Sequence, residues 1–363
     1  MRHLVARFVK QPENSTAIHI VDPYLDLRSR FKDLEKLKEN ISARKLNINV
    51  DEVSKNYNMW WEKFTDFYKC SKDDKENKSK LKRELVELSD GLLDALRLPN
   101  NLSTPSTSSE NFRFNEPQET KTNQIPVEGL AITNLSVHTK LVEAVKRKVE
   151  EIAQNLSAVR ISPPMMVRPA VVEACNLDLR SFPEFKDGDH PPMSLVGISE
   201  PSMLATFIKQ QFPASKQGTG LPLKLFSSGA TYFTPRFRPQ IPYLIDRQRE
   251  TTNILVFAET SEECSKIAEE IFYSIQRMLN LKKFVKLQQV PPPELKFYES
   301  QAHVLNEDSG RQIARLGYAG TYLSERCHIT YETDFKISSS QTPNFVHAAF
   351  VEVDLSAIAQ NYS

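Results

Sequence analysis

The sequence predicts an α+β protein: an antiparallel helical hairpin as an N-terminal arm, a polar linker, and a larger domain of antiparallel strands with helices against them. Three observations carry this prediction. Between residues 22 and 98, apolar residues recur at steps of three and four, the period of amphipathic helices. Leu221 to Phe257 holds two β-rich runs, LPLKLFSSGATYF and TTNILVFAET, joined by the proline- and arginine-rich PRFRPQIPYLIDRQRE, which reads as two antiparallel strands and a long loop. Directly after them, Thr260-Ser261-Glu262-Glu263 forms a capping box. Cys264, Ile267, Ala268, Ile271, Phe272, Ile275, Met278 and Leu279 then keep one helical face.

Taken in order, residues 1–21 open with MRHLVARFVKQPENS, where Arg2, Arg7 and Lys10 precede the first acid, Glu13. Leu4, Val5, Phe8 and Val9 can share a helical face, which suits a mitochondrial targeting segment; an ordinary basic start is the alternative. Residues 22–98 form the arm. One helix carries Leu27, Phe31, Leu34, Leu37 and Ile41, and a second carries Val50, Val53, Tyr57, Trp60, Phe64 and Phe67. A third runs through Leu81, Leu85, Leu88, Leu92 and Leu96 to end near Pro99. Stripes of this kind pack coiled-coil-like hairpins, so the aromatic cluster is read as core. The tip, with Lys69, Lys72, Lys75, Lys78 and Lys80, offers a phosphate contact or is a solvated turn. Residues 99–129, rich in Ser, Thr, Asn and Pro, read as a linker, and 130–363 as the main domain.

Composition narrows the functional classes. The chain has 363 residues, 40% apolar, enough for one large domain and a smaller one. Its 47 basic and 46 acidic residues leave no global attraction to nucleic acid, so any basic surface is local. With 10 glycines and neither GxGxxG nor GxxxxGK[ST], a glycine-loop nucleotide site is excluded. The cysteines at 70, 175, 264 and 327 lack metal-ligand or CxxC spacing, so no metal or other cofactor is expected. No apolar run approaches the roughly 20 residues that span a bilayer.

Strand, loop, strand and capped helix resemble motif 2 of class II aminoacyl-tRNA synthetases, and specifically of seryl-tRNA synthetases. That family reads Leu-Pro, an aliphatic and a basic residue, then Pro-Cys-Phe-Arg-x-Glu-Ala-Gly. Leu221-Pro222-Leu223-Lys224 matches, and Gly229 and Thr234 fit, but Phe233 stands at the arginine that grips the ATP α-phosphate and Pro235 at the glutamate. Neither can replace the lost donor or acceptor. The neighbouring Arg236 and Arg238 are out of register for the task. The arm also resembles the family at Asp26-Leu27, Lys38-Glu39-Asn40 and Asn49 to Val53, and its exit Leu98-Pro99-Asn100 matches an Ile-Pro-Asn junction.

The helix Leu141–Val149 with AVRISPPMMVRP resembles motif 1, which builds the subunit interface. The resemblance puts Leu141, Val145, Ile161, Pro163 and Pro164 at that interface. MSLVGISEPSM resembles the serine-holding loop, keeping Glu200 but with Ile198 for its threonine. RQIARLGYAGTYLSERCHITY resembles the segment that binds the serine amino group. There Gln312 replaces a glutamate, Tyr318 an asparagine and Thr321 an aspartate, while Arg326 alone remains of an arginine pair. In the motif 3 segment, Phe345-Val346-His347 matches and Val353 stands at the arginine for the ATP γ-phosphate. His347, in a buried-looking strand, is read as a core residue rather than a catalytic one.

A framework kept while its ligand-binding residues are replaced resembles the seryl-tRNA synthetase-like mitochondrial proteins of insects, non-catalytic paralogues of the mitochondrial enzyme. The resemblance implies a heterodimer with the active mitochondrial seryl-tRNA synthetase, a place in the matrix and in organelle translation, and some contact with tRNA or another nucleic acid. The alternatives are a free-standing nucleic-acid-binding protein and a serine-tRNA ligase with a displaced ATP site.

Overall fold

The structure, a computed structural model, describes residues 26–71, 74–103, 136–186, 192–213, 220–234, 248–279, 285–307, 310–332 and 343–361. The targeting segment, most of the linker, Lys72, and Pro235 with the loop that follows it lie outside the described residues.

Side-chain caps start the arm's helices. Asp33 accepts from the Lys36 amide to open α1 (Leu34–Ala43), Asn49 from Glu52 to open α2 (Val50–Lys69), and Asp74 from Asn77 to open α3 (Lys75–Glu87). The 20 residues of α2 give a rod about 30 Å long. It buries Val50, Val53, Tyr57, Trp60 and Phe64, and the Trp60 and Phe64 rings stack with centroids 4.8 Å apart. The returning limb is not the single helix expected. It breaks at Leu88, and α4 (Ser89–Arg97) continues along α2. Gly91 allows the close approach: a Cβ there would lie 2.6 Å from the Asn56 backbone carbonyl.

After the linker, α5 (Ser136–Asn155) leads to β1 (Val159–Arg160), β2 (Met166–Val167) and α6 (Pro169–Ala174). Next come β3 (Glu184–Phe185), β4 (Met193–Leu195), α7 (Glu200–Ala205) and β5 (Gln211–Phe212). The two predicted strands are β6 (Leu223–Tyr232) and β7 (Gln248–Ala258), antiparallel in continuous register from Leu223↔Phe257 to Tyr232↔Gln248. The predicted helix follows as α8 (Ser261–Met278), with Thr260 Oγ1 accepting from the Glu263 amide at 3.2 Å. Then come β8 (Val285–Gln289), β9 (Gln301–Glu307), β10 (Gln312–Gly320), α9 (Tyr322–Cys327), β11 (Thr330–Tyr331), β12 (Asn344–Phe345), β13 (His347–Asp354) and α10 (Leu355–Asn361).

The main sheet has seven strands in the order β1-β6-β7-β13-β10-β9-β8; β1 pairs with β6 in parallel and every other pairing is antiparallel. Strand alternation sorts its residues onto two faces. Phe226, Ile254, Val256, Leu316, Ala349, Val351 and Val353 face α5, α8 and α10 in the largest core. The opposite, front face is covered at one end by α6, α7 and α9 over Leu225, Leu255, Phe257 and Phe350. Two small three-stranded sheets, β12-β11-β5 and β2-β4-β3, flank it.

The arm is tied to this domain at its exit. The Tyr322 hydroxyl donates to the Leu98 carbonyl at 2.7 Å, and Asn176 Nδ2 to the Arg97 carbonyl at 3.1 Å. Asn100 Nδ2 reaches the Tyr298 and Ala319 carbonyls, both at 2.9 Å, and Arg44 donates to the Asn100 carbonyl at 3.1 Å.

Candidate functional site

The polar part of the front face lies over the centre of the sheet, and most of its residues are buried. Register places Ser227, Asn253, Glu352 and Arg315 side by side across β6, β7, β13 and β10. Gly229, Thr251 and Asp354 form a neighbouring row, and Thr231 pairs with Arg249 beyond it. Such a row of hydroxyl, amide and charged groups on a sheet face can bind a polar ligand. Here the chain's own groups use it.

The floor is occupied by the Ile198 carbonyl. It accepts from Asn253 Nδ2 at 2.7 Å, from Thr251 Oγ1 at 3.3 Å and from Thr231 Oγ1 at 2.5 Å. The Ile198 amide donates to the Ala230 carbonyl at 2.8 Å, which fixes this loop to the edge of β6. Its side chain lies over Gly229, where a Cβ would stand 3.1 Å from Ile198 Cγ1. Ile198 thus fills apolar space where a threonine would offer a hydroxyl.

The charges also answer one another. Arg315 donates to both oxygens of Glu299, at 2.7 and 2.5 Å, and Glu299 Oε2 also accepts from the Lys296 amide at 2.7 Å. The Lys296 ammonium donates to Glu200 Oε1 and stands 3.5 Å from Glu352 Oε2; the Tyr298 hydroxyl donates to Glu200 at 3.0 Å. Burial alone would raise the Glu200 carboxyl, but Lys296 and the Tyr298 hydroxyl hold it below its ordinary value. Burial would lower Lys296, and Glu200 and Glu352 outweigh it and raise the ammonium. Arg249 Nη1 and Arg311 Nη2 approach Asp354 Oδ2 at 3.6 and 3.7 Å, while Asp354 Oδ1 caps α10 through the Ala357 amide at 2.8 Å.

Phe233 sits beneath the Arg249 guanidinium, 4.5 Å from ring centroid to Cζ. A position where the resemblance calls for a phosphate-gripping arginine therefore holds an aromatic ring against a guanidinium drawn from β7. Val353 is fully buried and turned toward the helices, with no polar atom to offer the front face. Gln312 accepts from Arg315 at 3.4 Å, and Thr321 donates to Glu325 at 2.6 Å. Tyr318 is on the helix-covered side, its hydroxyl on Glu269 at 2.9 Å. Arg326 lies 3.5 Å above the Tyr322 ring and donates to the Leu96 carbonyl at 3.1 Å, so it docks the arm. His347 is half-buried, and burial lowers its basicity.

Lys296, Tyr298, Glu299, Arg315 and Arg249 were not singled out in the sequence. The available signal was charge inside strand-like runs, as with Arg315 in RQIARLGYAG.

The interface residues separate by burial. Val145 is 6% exposed inside the helix-side core and Pro163 is buried, so both serve the chain's own packing rather than a subunit surface. Leu141 and Ile161 are half-buried against the cores, and Pro164 is exposed. The apolar surface lies nearby: Val159, Met165, Met166 and Phe185 are each more than 40% exposed. Met166 pairs with Leu195 and Phe185 with Met193, so these four share one face of the β2-β4-β3 sheet. At the arm tip, Lys69, Lys75 and Lys80 are exposed and Lys78 lies 6.0 Å from the Phe67 ring. No helix among the described residues is long and apolar enough to cross a membrane.

By sequence, no family model and no curated protein matches the chain. Solved structures do match in fold. A cytoplasmic serine-tRNA ligase from Naegleria fowleri in complex with AMP is similar over 95% of this chain and 94% of that one, with TM-score 0.66 and 13% identity. A seryl-tRNA synthetase from Pyrococcus horikoshii complexed with ATP covers 93% of each chain at TM-score 0.66 and 15% identity. A Giardia lamblia prolyl-tRNA synthetase in complex with prolyl-adenylate matches 62% of this chain and 46% of that one, at TM-score 0.51 and 16% identity. The chain has the class II aminoacyl-tRNA synthetase fold, with an N-terminal helical arm.

Proposed function

We propose that this chain is a catalytically silent, seryl-tRNA synthetase-like subunit that pairs with the active mitochondrial seryl-tRNA synthetase and supports translation in the mitochondrial matrix. The observation that carries the silence is the front face itself. At the positions that the resemblance assigns to the ATP-binding arginines and the serine-holding threonine, this chain has Phe233 under Arg249, Val353 turned into the core, and Ile198 over the floor. Losing the two arginine contacts forfeits on the order of 1.5–3 kcal/mol each, roughly two to four powers of ten in nucleotide affinity. Pairing is supported by the apolar face of the β2-β4-β3 sheet, where Met166 and Phe185 are exposed and Met193 and Leu195 half-buried. A subunit whose partner supplies the working site tolerates these losses.

Serine-dependent ATP–pyrophosphate exchange tests the silence. The expected rate equals that of a mock preparation, and exchange above it would establish a ligase with a displaced ATP site. The second reading, a nucleic-acid-binding protein, draws on the exposed Lys69, Lys75 and Lys80. It requires that the isolated chain bind tRNA with an affinity falling steeply with salt, about one counterion per phosphate contacted.

A further inference from the structure

The neck between arm and main domain, Leu96 to Asn100, leaves the last turn of α4, where helix carbonyls lose their own donors. Each of its carbonyls nevertheless has a side-chain donor. Arg326 Nη2 donates to Leu96 and Asn176 Nδ2 to Arg97, both at 3.1 Å. The Tyr322 hydroxyl, at 2.7 Å, and Arg30 Nη1, at 3.3 Å, share Leu98, and Arg30 Nη2 reaches Pro99. Asn40 Nδ2 and Arg44 Nη2 hold Asn100 at 3.0 and 3.1 Å. Arg30, Asn40 and Arg44 belong to the arm, whereas Asn176, Tyr322 and Arg326 belong to the main domain, so one segment is gripped by both bodies. Tyr322 is where the two grips meet. Its buried ring takes a guanidinium from each body, Arg326 at 3.5 Å and Arg30 at 5.5 Å from the centroid, and its hydroxyl accepts from Asn176 at 2.8 Å. Bodies joined by a short linker ordinarily move against one another. Here, turning a neck peptide would strip its carbonyl of a donor, and three of the donors are guanidiniums, whose hydrogen bonds are the stronger kind.

We propose that Leu96–Asn100 is a locked neck, pinned by Tyr322, which holds the arm at one angle to the main domain. Anything that contacts the arm tip and the main domain together then meets them at a fixed separation. The lock depends neither on pairing nor on catalytic silence: loss of either would leave it intact, and its own failure would leave both untouched.

The test is the distance between tip and domain in the full chain. Cys70, at the end of α2, is half-buried and the other three cysteines are buried, so nitroxides on Cys70 and on Lys266→Cys, an exposed position of α8, report it by double electron–electron resonance. Labelled protein is diluted with unlabelled chain so that only distances within one chain are read. A pair within the main domain, Lys266→Cys with Gln289→Cys in a chain carrying Cys70→Ser, gives the width for a rigid body. With α2 about 30 Å long, a swing of about 10° at the neck moves the tip by roughly 5 Å. The wild-type distribution is expected to be as narrow as the pair within the domain. Tyr322→Leu, which removes the pin, should widen it at least about twofold, the scale of that tip movement. Arg30→Met cuts contacts from the arm side alone; it should widen the distribution too, and it decides the matter if Tyr322→Leu does not fold. A wild-type distribution already wider than that of the pair within the domain, or one that stays as narrow in every folded variant as in the wild type, overturns the lock.

Discussion

Glu200 and Lys296 join two distant elements on the front face through one ion pair. Glu200 was legible in the sequence, but its partner was not, because 96 positions separate them and no local period links a lysine after a proline turn to a distant glutamate. Phe233, Gln312 and Val353 were singled out through the resemblance; what they touch, Arg249 over Phe233 and Arg315 on Gln312, required the fold. The pair makes a pH prediction. Glu200, held below its ordinary 4.5, stabilises the fold above that value and stops doing so as pH falls through its folded pKa. Lys296, raised above 10.5, stabilises below that value and is lost as pH rises through its own. Thermal midpoints against pH should show a plateau with both limbs, and Glu200→Gln with Lys296→Met should shrink both. Arg315→Ala is expected to cost roughly 3–5 kcal/mol by urea unfolding, since it leaves Glu299 buried without its guanidinium.

Elements were readable where they carry their own punctuation. The capping box at Thr260 and the stripe behind it gave α8 to within a residue, and the turn-bounded β-branched runs gave β6 and β7. Strands of two or three residues carry no period, so β2, β3 and β4 were invisible, and with them the apolar face they build. Amphipathic spacing on α5 marked Val145 as buried but could not say whether against this chain or another. The break at Leu88 was missed because leucines keep step on both sides of it; the readable sign was Gly91 inside a helix. Gly91→Ala sets two effects against each other. Alanine favours the helix by about 1 kcal/mol, but the added Cβ meets the Asn56 carbonyl at 2.6 Å. Overpacking of this kind costs about 1–3 kcal/mol and must move α4 off α2, so a net loss of stability is expected in chemical denaturation.

At the scale of the molecule, ordered segments rather than any one motif made the fold legible. At 13–15% identity the chain still follows seryl-tRNA synthetase structures over more than nine-tenths of its length. The arm and the front face are joined through Arg44, which donates to the Glu299 and Asn100 carbonyls, and through Arg326 at the Leu96 carbonyl. The β2-β4-β3 face remains as an apolar surface beside the exposed Arg168 and Pro164. Phe185→Asp or Arg168→Glu should separate the paired subunits without lowering the unfolding midpoint of the isolated chain, as sedimentation and thermal melts together would read. Interfaces of obligate subunits commonly bury more than about 2,000 Å², so wild-type pairing should persist at micromolar concentration. Mixing this chain with the mitochondrial seryl-tRNA synthetase and measuring native mass is the most direct test of the partner-subunit reading. A one-to-one complex with the summed mass of the two chains is the result it predicts, and two species that keep their separate masses would contradict it.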